Sequence, residues 1–356
     1  MRELERVRRA LAGAAKRQEP ALVATVLAVE GSVYRGVGAR MVVLGDGTTS
    51  GGVSGGCLEA DVVARAEPMR ARGIAEVVQY DTRSSDDAVL GLGLGCQGVI
   101  DVLLEPLEGA SLLDAVAFYE RLARRREPST ILTLVRARSG TADAVGTRVV
   151  LDEAGAVIEG EASLVDRDDD VARETVRPAI PLLICGAGAD ARPVATLGSA
   201  AGFHVTVADH RGVFVVAERF PDADVLVHAN VTEDPHALFA HVCIDARTAV
   251  VVMAHSAMHD RAYLHAALGA GAGYVGVLGP RRRTLELLGE LAEGGLFPAT
   301  VRSPVGLDLG AESPEEIAVS IVAEVCAVMA GRQGGPLRDR AGPIHPDRVR
   351  AASVSR

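Results

Sequence analysis

The sequence predicts an α/β protein of two domains, a mixed α/β half followed by a doubly wound parallel sheet. Three observations carry this. The chain has 356 residues, too many for one ordinary core, because domains run about 100–200 residues. From residue 181 onward short β-branched runs alternate with helical patterns, the order that builds parallel strands with crossover helices. Before it, a turn-rich, glycine-dense stretch separates helices and strands in no such regular order. Hydrophobic residues at 48% and charged residues at 24% supply enough apolar surface for packed cores, which excludes wholesale disorder.

Taken in order, residues 1–17 read as a charged amphipathic helix and 21–29 as a strand entering a turn-rich loop at 30–38. A strand at 40–44 turns at Gly45-Asp46-Gly47, and 49–56 is mostly Gly, Ser and Thr. Cys57 then opens a helical pattern at 58–72, so a glycine-rich turn stands directly before a helix N-terminus. Residues 77–80 form a strand, and the run Gly91-Leu-Gly-Leu-Gly-Cys96-Gln-Gly98 precedes a strong strand at 99–104. A helix follows at 108–127 and two or three strands at 129–158. Val37-Gly-Ala-Arg-Met-Val-Val-Leu-Gly-Asp-Gly47 aligns without gaps on Val145-Gly-Thr-Arg-Val-Val-Leu-Asp-Glu-Ala-Gly155, the mark of a duplicated strand-turn unit. The second copy has no Gly-Gly-Cys after it.

The charged stretch 166–177, closing at Pro178, bears no apolar stripe and reads as a linker. The expected domains are therefore 1–178, including a strand-rich extension at 129–165 and the linker at 166–178, then 179–333, with a polar tail at 334–356. In the second domain strands are expected at 181–185, 204–208, 224–228, 249–254 and 274–278, and helices at 190–201, 235–241, 259–270, 282–292 and 314–329.

Composition excludes several functions. A net charge of −10, with Lys16 the single lysine, repels phosphate backbones, so nucleic-acid binding is not expected. No stretch approaches the roughly 18 apolar residues of a membrane span, and residues 1–16 lack the apolar core of a signal peptide. The five cysteines, Cys57, Cys96, Cys185, Cys243 and Cys326, contain no C-x-x-C pair and fit neither a disulfide framework nor a cysteine-rich zinc site. Reduced thiols in a cytoplasm are the simplest reading.

The sharpest chemical signal is Gly186-Ala-Gly188-Ala-Asp-Ala191, which follows an apolar strand and opens a helix, with Asp209 at the end of the next strand. Gly186 and Gly188 would permit close approach of a phosphate to free helix N–H groups, and Asp209 would accept from a ribose hydroxyl. The same pattern suits a Rossmann-like domain whose crevice is empty or takes something other than NAD(P). His255 ends a strand at the carboxyl edge of that sheet and could serve as acid, base or anion contact. The spacing His255-Ser-Ala-Met-His259 suggests two imidazoles one helical turn apart, without the glutamate of an H-E-x-x-H metalloprotease. Arg281, with Arg282 and Arg283, starts a helix and suits either an anion or solvent. All nine histidines lie at or beyond His204, so the reactive candidates of the first domain are Cys57 and Cys96. Helix N-termini favour thiolates, and Gly55 and Gly56 leave the Cys57 sulfur open to a bulky partner; a buried structural cysteine is the alternative at both positions. Cys185, Cys243 and Cys326 lie in apolar patterns and are expected in the core.

Glu30-Gly-Ser-Val-Tyr-Arg-Gly-Val-Gly-Ala-Arg-Met41, Ser54-Gly-Gly-Cys-Leu-Glu59 and Gly91-Leu-Gly-Leu-Gly-Cys-Gln-Gly98 resemble the N-terminal signature of the XdhC/CoxI family. Gly186 to Ala191, Ala208-Asp-His-Arg211, Met253-Ala-His255, Tyr274-Val-Gly-Val-Leu-Gly-Pro-Arg281 and Pro304-Val-Gly-Leu-Asp-Leu-Gly310 resemble its Rossmann-like domain. The resemblance implies an accessory factor for xanthine dehydrogenase-type molybdenum hydroxylases. Such a factor binds the molybdenum cofactor as cargo, protects it while a cysteine desulfurase supplies its terminal sulfur, and delivers it to the client. The implied roles fall on Cys57 and Cys96 for cofactor or sulfur handling, with Gly55 and Gly56 shaping the approach. A homodimer is expected, and the client enzyme stays open among xanthine dehydrogenase, carbon monoxide dehydrogenase and aldehyde oxidases. Two rival functions share the same crevice: an NAD(P)-dependent oxidoreductase with His255 as proton donor, and a nucleotide-sensing scaffold without chemistry.

Overall fold

Leu4, Val7, Leu11 and Ala14 recur three or four residues apart and are all buried, so the chain opens with an amphipathic helix, α1 (Arg2–Arg17). The computed structural model describes residues 2–81, 97–137, 144–167, 170–234, 237–292 and 296–341. Two compact units divide it, Met1–Pro178 and Ala179–Ala341.

In the first unit α1 is followed by β1 (Ala21–Ser32), β2 (Arg40–Leu44), β3 (Thr49–Gly51), α2 (Glu59–Arg72), β4 (Glu76–Asp81) and β5 (Gln97–Leu107). Then come α3 (Gly109–Arg124), β6 (Ser129–Leu134), β7 (Arg148–Leu151), β8 (Val157–Gly160) and β9 (Val171–Val176). Among the described residues these strands form two antiparallel sheets, ordered β3-β2-β1-β5-β4 and β8-β7-β6-β9. Side chains of α1 and α3 pack with Val23 and Val42 of the first sheet and Ile131, Val150 and Val176 of the second in one core. The other face of the first sheet is covered by Leu58, Val62, Ala66 and Met69 at and along α2.

The sequence echo is a structural repeat. α1-β1-β2-β3 and α3-β6-β7-β8 share order and pairing, and their turns share hydrogen bonds. Gly38 N–H donates to Val26 O as Gly146 N–H donates to Leu134 O, and Val26 and Leu134 N–H return to Ala39 and Thr147 O. Both glycines have positive φ, +86° and +93°, which a side chain would strain. The repeated arginines then exchange partners. Arg40 pairs with Glu174 on β9, beside the second sheet's repeat, and Arg148 pairs with Glu105 on β5, beside the first. Their guanidinium carbons lie 5.6 Å from the Tyr119 ring centroid and 5.3 Å from that of Phe118, adjacent residues of α3.

The stretch 166–178, expected as a linker, differs: Val171–Val176 is a strand that pairs along β6. Its charged residues, Arg173 and Glu174, lie between Val171 and Val176, which are buried, and Glu174 finds the buried Arg40, so its charge is paired rather than solvated.

The second unit holds β10 (Pro181–Cys185), α4 (Ala191–Ala201), β11 (His204–Asp209), β12 (Val225–His228), β13 (Ala249–Val252), α5 (Ala257–Gly269), β14 (Tyr274–Val277), α6 (Arg281–Leu288), β15 (Val301–Arg302) and α7 (Pro314–Met329). The sheet is parallel, ordered β12-β11-β10-β13-β14-β15. The order reverses between β10 and β13, the switch point at which such sheets open a crevice. Both faces are covered, one by α4 and α7 and the other by α5 and α6, which is why its strands are apolar throughout rather than alternating. α7 begins with a capping box in which Ser313 accepts from the Glu316 N–H.

Two further expectations differ. Residues 237–241 form turns where a helix was expected, and 235–236 lie outside the described residues. Of the three cysteines expected in the core only Cys185 is buried; Cys243 and Cys326 are exposed, because each occupies an outward position of an otherwise apolar segment. Residues 342–356 of the expected tail lie outside the described residues.

Candidate functional site

In the first unit the Ser54-Gly-Gly-Cys57 turn stands immediately before α2, with Leu58 in the cap position. Cys57 is half-buried and its thiol is free. Gly55 and Gly56 are exposed, and Gly56 has φ +117°, so an added side chain would strain this turn. The residue that shapes the loop is Glu59. Its carboxylate accepts from the N–H groups of Val53 at 3.1 Å, Ser54 at 2.8 Å and Gly56 at 3.1 Å, and from the Ser54 hydroxyl. Ser54 Oγ in turn accepts from Leu58 N–H at 3.1 Å. Burial alone would raise the Glu59 carboxyl pKa, but the Ser54 hydroxyl and these amides together hold it below the usual range. The amides of this glycine-rich turn are thus taken by the protein's own carboxylate. Cys96, the second thiol candidate, lies outside the described residues, and with it any pairing of the two sulfurs.

In the second unit the Gly186 turn after β10 meets the end of β13 at the switch point. Gly186 has φ +123°, and a Cβ there would stand 2.5 Å from Met253 O and 2.7 Å from Ala254 Cα. Its first role is close backbone packing. Gly188 differs, since a Cβ there would meet only side chains, Asp190 Oδ1 at 2.6 Å and His255 Cδ2 at 3.9 Å.

Two carboxylates occupy this turn from within. Asp209 is fully buried and accepts from Ala187 N–H at 2.7 Å and from the Arg211 backbone and guanidinium at 2.8–2.9 Å. Burial opposes its charge, but Arg211 and these amides hold its pKa down to about 2. A carboxylate so committed does not present itself to a ribose, so the expected ribose contact does not fit this placement. Asp190 is hydrogen-bonded to His255 Nε2 at 2.6 Å. His255 is 61% exposed and sits in the left-handed region at φ +57°, a strained conformation for histidine.

His255 and His259 do not share a helix face, because α5 starts only at Ala257. His259 is instead buried, bonded through Nδ1 to Ser256 Oγ at 2.9 Å and stacked on His210 with ring centroids 3.6 Å apart. Burial, then repulsion from His259, holds the His210 imidazole below its ordinary pKa. Asp260, next to His259, accepts from Ala254 N–H at 2.8 Å and pairs with Arg283. The arginine triplet therefore divides its work. Arg281 lies over the Phe297 ring at 4.2 Å, Arg282 pairs with Glu286, and Arg283 supports the β13 loop through Asp260. Sequence reading assigned no role to Glu59, Asp190 or Asp260, although each stands within five residues of a residue it singled out. Among the described residues no three His, Cys, Asp or Glu side chains converge as a metal site, and no helix is long and apolar enough to cross a membrane.

Sheet order and turns define a two-domain α/β protein with a Rossmann-type second domain. Residues 14–81 match the XdhC and CoxI family, and residues 182–325 match the XdhC Rossmann domain. A protein of Bacillus subtilis (strain 168), named as a probable subunit of xanthine dehydrogenase, is 32% identical over 86% of this chain and 93% of its own. The molybdenum cofactor insertion chaperone PaoD of Escherichia coli (strain K12) is 29% identical over 86% of this chain and 83% of its own. A crystal structure described as a xanthine dehydrogenase from Bacillus halodurans superposes with a TM-score of 0.76 at 30% identity, covering 94% of this chain and 98% of that one. The chain belongs to the XdhC and CoxI family, as the resemblance of its motifs implied.

Proposed function

We propose that this protein is an accessory factor that binds the molybdenum cofactor as cargo, shelters it during sulfuration and delivers it to a xanthine dehydrogenase-type hydroxylase. The observation that carries the reading is the end-to-end likeness to a molybdenum cofactor insertion chaperone, 86% of this chain against 83% of that protein. The accessible Cys57 thiol on a turn held by Glu59 supports it, since a sulfur-bearing ligand needs a positioned thiol without a helix of bulky side chains around it. In this reading Cys57 and Cys96 handle cofactor or sulfur, and His255 with Asp190 offers an ionisable pair at the switch point. A cysteine desulfurase, the client hydroxylase and a second copy of this chain are the partners, all cytoplasmic. An NAD(P)-dependent oxidoreductase finds no support in a turn whose Ala187 N–H is already taken by Asp209.

The test is equilibrium binding of purified molybdenum cofactor, followed by activation of an apo-hydroxylase with and without the protein. Expected are saturable binding and faster activation, with Cys57→Ala weakening retention while leaving the thermal transition in place. Turnover of NADH with carbonyl substrates, in the absence of cofactor binding, would overturn the proposal.

A further inference from the structure

A cleft of about 260 Å³ opens in the first unit between the start of α1, the loop from β1 to β2 and the end of β9. Its charged lining is Arg35, Arg40 and Arg177 against Glu3 and Glu174, a cationic balance in a chain of net charge −10. The two carboxylates are already committed. Glu3 Oε1 accepts from Arg35 Nη2 at 2.5 Å and from the Arg40 N–H at 2.7 Å, and Glu174 takes both terminal nitrogens of Arg40 at 2.8 and 2.5 Å. Arg40 Nε is buried without a hydrogen-bond partner, an unsatisfied donor in the wall of a cleft. Arg177 is exposed, and among the described residues it has no carboxylate partner and Arg35 engages only one of its nitrogens.

Tyr34 completes the lining. It is 76% exposed, unusual for an aromatic in a chain with so few, and its ring carbons stand 3.4 Å from where a Cβ would lie on Gly55, two residues before Cys57. One ring therefore borders both the cleft and the thiol's turn. Guanidiniums with spare donors bind phosphate oxygens, and an open aromatic face beside them stacks a flat ring.

We propose that this cleft binds a phosphate monoester carried on a flat heteroaromatic group, with Arg35 and Arg177 holding the phosphate and Tyr34 stacking the ring. The inference deepens the proposed function and rests on it for the ligand's identity: the pterin and phosphate of the cargo meet both demands on the side of the unit that bears Cys57.

Two probes separate the site from the cargo, riboflavin 5′-phosphate, read by fluorescence quenching, and purified molybdenum cofactor, read by retained molybdenum. Full-length parent, Arg177→Gln, Arg35→Gln with Arg177→Gln, and Tyr34→Ala are compared, with Arg121→Gln, from the exposed pair with Glu159, as control. The double variant is expected to weaken binding about tenfold or more, and Tyr34→Ala severalfold, with inorganic phosphate competing against the parent. Melting curves within a degree or two of the parent show that these surface changes leave the fold intact. A parent that binds the flavin phosphate through these residues but not the cofactor keeps the cleft and overturns the cargo reading. Cofactor binding equal in parent and variants overturns the cleft and keeps the cargo. A parent that binds neither probe overturns both.

Discussion

Removing Glu174 tests the exchange of ion pairs between the two repeats. Arg40 is 2% exposed, and Glu174 supplies an acceptor to each of its terminal nitrogens. Burial alone would lower the guanidinium's pKa, yet Glu174 more than offsets this and holds it raised. Glu174→Ala would leave the cation buried without its counter-charge. Breaking one side of a buried pair costs about 3–5 kcal/mol. Glu174 is itself partly solvated, so water entering the space brings the expected loss to about 3 kcal/mol. For a unit of this size each kcal/mol moves the midpoint roughly 2–4 °C, so a fall of about 6–12 °C is expected in the first unit's transition. Hydrogen exchange of β1, β2, β6 and β9 should rise together, since β2 and β9 belong to different sheets joined by this contact. Two comparisons sharpen the assay. Glu159→Ala, removing the exposed partner of Arg121, should cost no more than about 1 kcal/mol, and Arg40→Met with Glu174→Leu should recover most of the loss. A Glu174→Ala transition within 2 °C of the parent, or a double variant no better than the single, would refute the argument.

The remaining predictions concern the turns. Gly186→Ala places a Cβ against the backbone of Met253 and Ala254 at positive φ and should destabilise the second unit by about 2–4 kcal/mol in urea unfolding, whereas Gly188→Val meets only the Asp190 and His255 side chains and should cost under about 2 kcal/mol; equal losses would contradict this division. The folded pKa of Asp209 is depressed, so its stabilisation is full above the unfolded value near pH 4 and is lost as pH falls toward 2. With Arg211 partly exposed the effect is about 1–2 kcal/mol, and the stability gap between parent and Asp209→Asn should shrink over that window. Glu59→Gln keeps the shape of the acceptor but weakens three amide contacts, so hydrogen exchange at Val53, Ser54 and Gly56 should rise, with faster alkylation of Cys57, while α2 stays helical by circular dichroism. Unchanged alkylation would show that the thiol's exposure does not depend on Glu59.

The sequence read well where one local pattern forces one outcome. α1 follows from Leu4, Val7, Leu11 and Ala14, and α7 from the helical pattern at 314–329. The parallel sheet followed from apolar runs alternating with helices, and the repeat from Gly38 and Gly146, where the backbone demands glycine. Reading failed where long-range pairing reverses a local impression. Residues 171–176 look like a solvated linker because Arg173 and Glu174 are charged, and only the folded chain brings Arg40 to Glu174. The turns that carry the candidate residues were legible in outline, since Cys57, Gly186 and His255 all stand at turns, but the residues that set those turns act across distances no short motif records. Asp190 reaches His255 over 65 positions of sequence.

The two glycine turns share a device with a consequence for where an anion can bind. Glu59 satisfies the amides of the Cys57 turn, and Asp209 the Ala187 amide of the Gly186 turn. A carboxylate in such a nest is the same electrostatic answer as a phosphate, so sequence patterns alone cannot separate a turn that holds itself from one that holds a ligand. An incoming phosphate at either turn would have to displace a charge already bonded to two or more donors, or sit beside it and be repelled. Guanidiniums with spare donors carry no such penalty, and in the first unit Arg35 and Arg177 provide them beside Tyr34. In the proposed reading the glycines serve the thiol, by keeping bulk away from Cys57, while arginine holds the anionic end of the cargo. Substitution at Glu59 should accordingly change Cys57 reactivity more than phosphate affinity, and substitution at Arg35 with Arg177 the reverse.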